Sequence, residues 1–145
     1  MEFISIERID TVKQQHLMKR FMEGSIADYK PNDNCLLVIN RFVNKENFYD
    51  IKLSEKDSGY LERNCYSNKL PIPNFWHTPY TTNSTDCKLP LDFVIYVLES
   101  QKGKYFSEDL LTDGKFMPLQ WRNGFSRGVA ISKNRGLIIY WLAIW

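Results

Sequence analysis

The sequence has few of the patterns by which enzymes and metalloproteins are recognised. Its seven glycines form neither GxGxxG nor GxxxxGK[ST], so no nucleotide-binding loop is indicated. Its three cysteines (Cys35, Cys65 and Cys87) and its two histidines provide none of the close pairs that zinc sites normally use. We therefore predict a protein that is not an enzyme and that holds no metal and no cofactor.

The sequence also lacks a segment that would direct the chain into or across a membrane. Residues 1–8 show no basic stretch ahead of an apolar run, as a signal peptide would. The most apolar run, residues 136–145, is about half of the ~20 residues that a membrane-spanning helix needs. The cysteines form no CxxC pair, and an odd number cannot all pair within one chain. These features predict reduced cysteines and a cytoplasmic protein that does not bind membranes.

Composition is ordinary for a globular protein. The chain has 145 residues, of which 43% are hydrophobic and 25% charged, and this length suffices for one domain, residues 1–145, with its own core. Only three alanines occur against eleven asparagines, a bias that lowers helix propensity and favours turns and strands.

The N-terminal half predicts one helix and several strands. Asp10 is a suitable N-cap for a helix over residues 11–23, which Gly24 would end. The apolar stripe of that helix consists of Leu17, Met18, Phe21 and Met22. Strands are predicted over residues 2–8, 35–43 and 48–53, and residues 91–98 fit a strand slightly better than a helix.

The C-terminal third predicts a three-stranded antiparallel meander over residues 116–145. Asn123 and Gly124 are the preferred residues of a type I′ hairpin turn, which would set Arg127 opposite Gln120. A second turn at Asn134 and Arg135 would set the remaining pairs: Arg127 opposite Leu142, Gly128 opposite Trp141, and Ala130 opposite Ile139. The predicted fold is α+β, an antiparallel sheet that ends in this meander and packs against the N-terminal helix.

Residues 136–145 contain no charge and are rich in β-branched and aromatic side chains, which is typical of a strand covered on both faces. Such a strand would be central to the core and would not tolerate trimming. The helix stripe would cover one face. The other face would be covered by residues 71–98 or by a second molecule.

Positive charge is concentrated in residues 115–135, where five basic residues occur and no acidic one, although the net charge of the chain is only +2. Basic side chains interleaved with aromatic rings can bind phosphates and stack bases, so binding of single-stranded nucleic acid is one alternative. Against it, the isoelectric point is only about 8.4, and Trp121 fits a core position equally well. Arg127, in mid-strand, would either form an ion pair with a carboxylate or serve as an exposed anchor for a partner, and we expect the ion pair.

Residues 71–80 form an aromatic loop that contains His77, the best single residue for acid–base chemistry. A small hydrolase or transferase using His77 is a second alternative. No family signature surrounds it, and packing within the loop explains the residue more simply.

The favoured function is therefore binding of another protein, as an immunity protein or antitoxin does when it neutralises a toxin. Tyrosine, tryptophan and arginine are the residue types enriched at binding hot spots. The predicted partner-binding residues are Trp121, Arg122, Arg127, Lys133, Arg135, Trp76, His77 and Tyr80.

Overall fold

A computed structural model of the chain describes residues 1–39, 63–75, 87–111, 114 and 117–145. Its elements in chain order are β1 (Glu2–Arg8), α1 (Thr11–Gly24), β2 (Ala27–Tyr29), β3 (Val38–Ile39), β4 (Ile72–Pro73), β5 (Phe93–Lys102), β6 (Gly124–Ser132) and β7 (Leu137–Ile144). An antiparallel five-stranded sheet has the order β1-β7-β6-β5-β2, and β3 pairs in parallel with β4. The predicted α+β class, with a C-terminal meander packed against an N-terminal helix, is confirmed.

The uncharged C-terminal segment is an internal strand, as predicted. β7 lies between β1 and β6, and its register sets Gly128 opposite Trp141 and Ala130 opposite Ile139. A Cβ at Gly128 would lie 2.5 Å from two atoms of the Trp141 ring, so only glycine fits beneath the indole. Thus the second predicted hairpin is correct to the residue.

The first predicted hairpin is wrong. Residues Leu119–Trp121 form a short 3-10 helix, and neither Asn123 nor Gly124 has the positive φ that a type I′ turn requires. The strand beside β6 is instead β5, so the meander begins at Phe93. Glu99, not Gln120, lies opposite Arg127. Trp121 is buried against one face of the sheet, so the segment that contains it does not form a strand beside β6.

The helix covers the face of the sheet to which the even-numbered residues of β7 point, and we call this the helix face. Asp10 caps α1 as predicted, because its carboxylate accepts a hydrogen bond of 2.8 Å from the amide of Lys13. Leu17, Met18 and Phe21 pack on the cluster of buried residues of this face: Ile9, Tyr96, Val129, Ile131 and Ile138. Met22, which we placed in the stripe, is 61% exposed, so that part of the prediction is wrong.

Irregular segments cover the opposite face, which we call the cap face. The side chains of Leu36, Val38, Ile72 and Cys87 pack there against Trp141 and its neighbours. Of the strand predicted over residues 35–43, the described part forms only the two-residue strand β3, although residues 35–39 are all buried. Residues 40–43 and the strand predicted over 48–53 lie outside the described residues. The chain therefore covers the cap face of β7 and the part of its helix face around Ile138.

Cys35 and Cys65 form a disulfide, so the prediction of reduced cysteines is wrong for these two residues. Spacing alone could not indicate the bond, because 30 residues separate them and folding brings their Cα atoms to 6.0 Å. Disulfides persist mainly in oxidising compartments, which counts against the cytoplasmic location that we predicted. Cys87 is buried and is not part of the disulfide.

Candidate functional site

A row of side chains crosses four strands of the sheet on the helix face. Phe3 lies opposite Leu142, Leu142 opposite Arg127, and Arg127 opposite Glu99. Directly opposed residues of an antiparallel pair point to the same face, so these four side chains stand side by side. Nε of Arg127 donates to Oε2 of Glu99 over 2.7 Å, which confirms the expected ion pair.

A second row lies one step nearer the end of the sheet. Phe125 stands between Ile144 and Gln101, its opposed neighbours on β7 and β5. The ring of Tyr105 packs edge-on against Phe125, with centroids 4.7 Å apart and planes at 89°. The Tyr105 hydroxyl donates to Oε1 of Gln101 over 3.1 Å. The aromatic pair and this hydrogen bond hold the end of the row in one arrangement.

These two rows form a surface that α1 leaves uncovered. The buried cluster beneath the helix consists of residues of the other half of the face, around Val129, Ile131 and Ile138. Phe3 is 60% exposed, the Arg127 side chain 57% and Tyr105 42%. We call this surface the open half-face and define it by eight residues: Phe3, Glu99, Gln101, Tyr105, Phe125, Arg127, Leu142 and Ile144.

The open half-face is chemically mixed. Aromatic and aliphatic side chains surround a single ion pair that keeps much of its contact with water. An exposed pair of this kind contributes at most about 1 kcal/mol to stability. The pair therefore contributes little to the stability of the fold.

Of the two predicted site residues next to β6, one is buried and one is exposed. Trp121 is 3% exposed and packs on the cap face against Trp145, so its ring is not available to a partner. Nζ of Lys102 lies over this ring, 5.3 Å from its centroid. Arg122 is exposed and ends the short 3-10 helix just before β6.

Lys133 and Arg135 lie at the far end of β6, in the turn that leads to β7. The nine residues of β6 separate this turn from Arg122 by roughly 30 Å, at ~3.3 Å per residue. Nε of Arg135 donates to both carboxylate oxygens of Asp92, over 3.2 and 3.1 Å, and the Ser132 hydroxyl also donates to Asp92. The hydrogen bonds from Ser132 and Arg135 hold the pKa of Asp92 below its ordinary value. The basic segment is therefore not one continuous patch.

Trp76, His77 and Tyr80 lie outside the described residues. The residues that flank their segment are described: the amide of Phe75 donates to the carbonyl of Cys87 over 3.1 Å. Phe75 and Cys87 both pack on the cap face, where the Phe75 ring meets Trp141 edge-on. Phe75 and Cys87 therefore lie on the opposite face of the sheet from Arg127.

No group of three or more histidine, cysteine or acidic side chains that could hold a metal ion occurs among the described residues. Within the same part of the chain, no helix is both long and apolar enough to span a membrane.

Several residues of the open half-face were not predicted from the sequence. Phe3, Tyr105 and Leu142 are far apart in the chain, and only the pairing of β1 with β7 and of β5 with β6 brings them together. The alternation within residues 2–8 indicated a strand, and the β6–β7 register was predicted correctly. The sequence did not indicate which strands lie beside β7 and β6 on their other sides, so these residues could not be placed together.

Comparison of the chain with protein-family models, with curated proteins and with solved structures finds no match in any of the three.

Proposed function

We propose that this chain acts by binding another protein through the open half-face, and that it serves as an inhibitor such as an immunity protein or antitoxin. The observation that carries the proposal is the exposed set of Phe3, Tyr105 and Arg127 around the ion pair with Glu99. Tyrosine and arginine are enriched at binding hot spots, and Arg127 belongs to the residues that the sequence already indicated.

The geometry of the open half-face suits a preformed binding surface. Its side chains stand on paired strands, and Tyr105 and Arg127 are each held by a hydrogen bond to a neighbouring side chain. A surface that is ordered before binding loses less side-chain entropy in the complex. A partner that matches it would present apolar side chains around a polar centre able to bond with Arg127 and Glu99.

Nucleic-acid binding receives less support. Arg127 and Arg135 each pair with a carboxylate, and the bases of the segment extend along the whole length of β6. The Trp121 ring, which would have stacked on a base, is buried. A hydrolase or transferase that uses His77 stays a prediction, since that residue lies outside the described part of the chain.

Charge reversal at two matched positions tests the proposal. The tagged protein is used to capture partners from the source lysate, and the affinity of each captured protein is then measured with purified components. We expect Arg127→Glu and Tyr105→Ala to weaken binding by about 30-fold or more, the loss expected for a hot-spot residue worth ~2 kcal/mol. Lys19→Glu, an equal charge change on the exposed side of α1, should leave the affinity unchanged.

The proposal is wrong if every captured protein binds Arg127→Glu, Tyr105→Ala and the wild type equally well, or if no protein is captured at all. Salt-dependent binding of a labelled single-stranded oligonucleotide, lost in Arg122→Ala/Arg127→Ala, would favour the nucleic-acid alternative instead.

A further inference from the structure

The open half-face is small compared with the interfaces of globular proteins. It consists of the eight residues that define it, whereas a stable interface uses about 20–30 residues on each side. Its longer dimension crosses four strands, or about 14 Å at ~4.8 Å between neighbouring strands, and its two rows lie ~7 Å apart. One α-helix, with a diameter of about 10 Å, covers a strip of this size. The dimensions therefore match a single element of secondary structure.

A helix suits this surface better than an extended segment does. The open half-face presents side chains, because the backbone groups of paired strands lie in the plane of the sheet. An extended segment laid on it would leave its own amides and carbonyls without partners, whereas a helix pairs them internally. The turns of a helix repeat every ~5.4 Å, close to the ~4.8 Å between strands, so successive turns can contact successive strands.

The centre of the open half-face presents hydrogen-bond donors that the chain does not use. Arg127 bonds to Glu99 through Nε, and among the described residues no hydrogen bond involves either of its Nη groups. The edge between these two groups suits the two oxygens of one carboxylate. Because the Arg127 side chain is 57% exposed, a carboxylate can reach this edge from water.

Positive charge is also present where the open half-face borders α1. Tyr140 lies two residues before Leu142 on β7 and so points to the same face. Burial and the charge of Glu7 raise the pKa of Tyr140, while the charges of Lys13 and Arg20 lower it, so both cations lie near its hydroxyl. Lys13 pairs with Glu7 over 2.6 Å, but Arg20 forms no ion pair with any described residue. This border therefore favours an acidic group of the partner.

We propose that the open half-face binds an acidic amphipathic helix of the partner, which runs across the strands along the row of Phe3, Leu142 and Arg127. A glutamate or aspartate of this helix bonds to the Nη groups of Arg127. Its apolar residues, spaced three or four apart, pack on Phe3, Leu142 and Phe125. The inference rests on the proposed function, because it names the part of the partner that the open half-face contacts.

A random peptide library displayed on phage tests this preference without a known partner. The peptides have about 16 residues, enough for roughly four helical turns. The wild-type protein is the target, and peptides that still bind Phe3→Ser are discarded. Phe3 is 60% exposed, so this change removes an apolar contact without changing the charge of the surface. The selection therefore does not itself favour acidic peptides.

We expect the retained peptides to carry a glutamate or aspartate among apolar residues spaced three and four apart. Circular dichroism should show that they become helical when they bind. Retained peptides without an acidic residue, peptides that bind in an extended conformation, or a selection that retains no peptide would overturn the proposal.

A double-variant cycle tests the contact with Arg127. It combines Arg127→Gln with a peptide whose acidic residue is replaced by the corresponding amide. Each single change should weaken binding by about tenfold or more, and the two together by no more than one alone, because both remove the same charge-assisted hydrogen bonds. Lys19→Gln, an equal charge change on the exposed side of α1, is the control and should bind as the wild type does. Additive losses would show that the carboxylate binds elsewhere.

The inference and the proposed function can fail separately. If a captured protein depends on Arg127 and Tyr105 but the retained peptides are not acidic helices, the proposed function holds and the inference is wrong. If acidic helical peptides bind but no captured protein depends on these residues, the preference of the surface is as inferred and the proposed function is wrong.

Discussion

The helix face and the cap face of the sheet are covered by different means. One amphipathic helix, held by its N-cap, packs Leu17, Met18 and Phe21 onto the helix face. The cap face is covered by irregular segments that come from several parts of the chain and are joined by a disulfide. The helix that covers one face could be predicted from the periodicity of its apolar residues. The irregular segments that cover the other face have no such periodicity, so their position could not be predicted from the sequence.

The comparison predicts that the cap face carries more stability per side chain than the helix face. The side chains that cover the cap face are more deeply buried than those of the helix: Leu36 and Ile72 are at most 1% exposed, whereas the three helix residues are only partly buried. Since the stability contributed by an apolar side chain scales with the area removed from water, substitutions on the cap face should have larger effects.

The largest effect is expected at Trp145. Its indole Nε1 donates to the carbonyl of Trp121 over 2.7 Å, and its ring lies 6.2 Å from that of Trp121. Trp145→Ala should lower the free energy of unfolding by about 3–5 kcal/mol, because it leaves a cavity and an unsatisfied carbonyl. Urea denaturation measures this. Leu119→Ala, a change at a side chain 72% exposed, is the control and should have little effect.

The second effect concerns the disulfide of the cap face. Breaking the bond between Cys35 and Cys65 restores the freedom of a 30-residue loop in the unfolded chain. The loss expected from chain entropy is about 3–4 kcal/mol. Thermal unfolding of the wild type with and without reductant measures it, and Cys35→Ser/Cys65→Ser should show no response to reductant. If the oxidised and the reduced wild type unfold at the same temperature, the disulfide does not stabilise the segments that cover the cap face.

A smaller effect is expected on the helix face. The ring of Phe21 meets that of Tyr140 edge-on, with centroids 6.3 Å apart, and is partly buried. Phe21→Ala should lower the free energy of unfolding by about 2 kcal/mol, less than the full cost of a buried phenylalanine. Met22→Ala, on the exposed side, should change it by less than about 0.5 kcal/mol. If Phe21→Ala costs as much as Trp145→Ala, the comparison between the two faces is wrong.

The smallest effect is the pH dependence at Asp92. Its folded-state pKa is lowered by the hydrogen bonds from Ser132 and Arg135, so its stabilising contribution is complete above its ordinary pKa. That contribution is lost as the pH falls through the lowered, folded-state value. Ser132 also accepts a hydrogen bond from Gln14 of α1 through its carbonyl, so acid should loosen the attachment of the helix as well.

Urea midpoints measured at successively lower pH should fall more steeply for the wild type than for Asp92→Asn, which cannot lose a charge. Parallel curves for the two proteins would show that Asp92 does not titrate in this range with a shifted pKa.

Local patterns were sufficient for part of the fold. The N-cap at Asp10, the stripe of Leu17, Met18 and Phe21 and the turn at Asn134 and Arg135 each depend on residues close in sequence, and the structure confirms them, with Met22 as the exception in the stripe. The hairpin at Asn123 and Gly124 was also a local pattern, yet it was wrong. Burial of Trp121 and pairing of β6 with β5 outweigh the preference of the two turn residues.

The candidate site could be predicted from the sequence only at Arg127. Its need for a carboxylate followed from its position in a mid-strand register, but the identity of that carboxylate did not, because Glu99 lies 28 residues away on β5. Tyr105 and Phe3 gave no local sign of their role.

What the sequence determined by itself is the class of the fold, the helix and the internal position of residues 136–145, since periodicity and the absence of charge are properties of neighbouring residues. The tertiary structure decided which strand lies beside β6, which cysteines are joined and which half of the helix face stays open. These depend on contacts between segments far apart in the chain, and their free energies exceed the local preferences of any one turn.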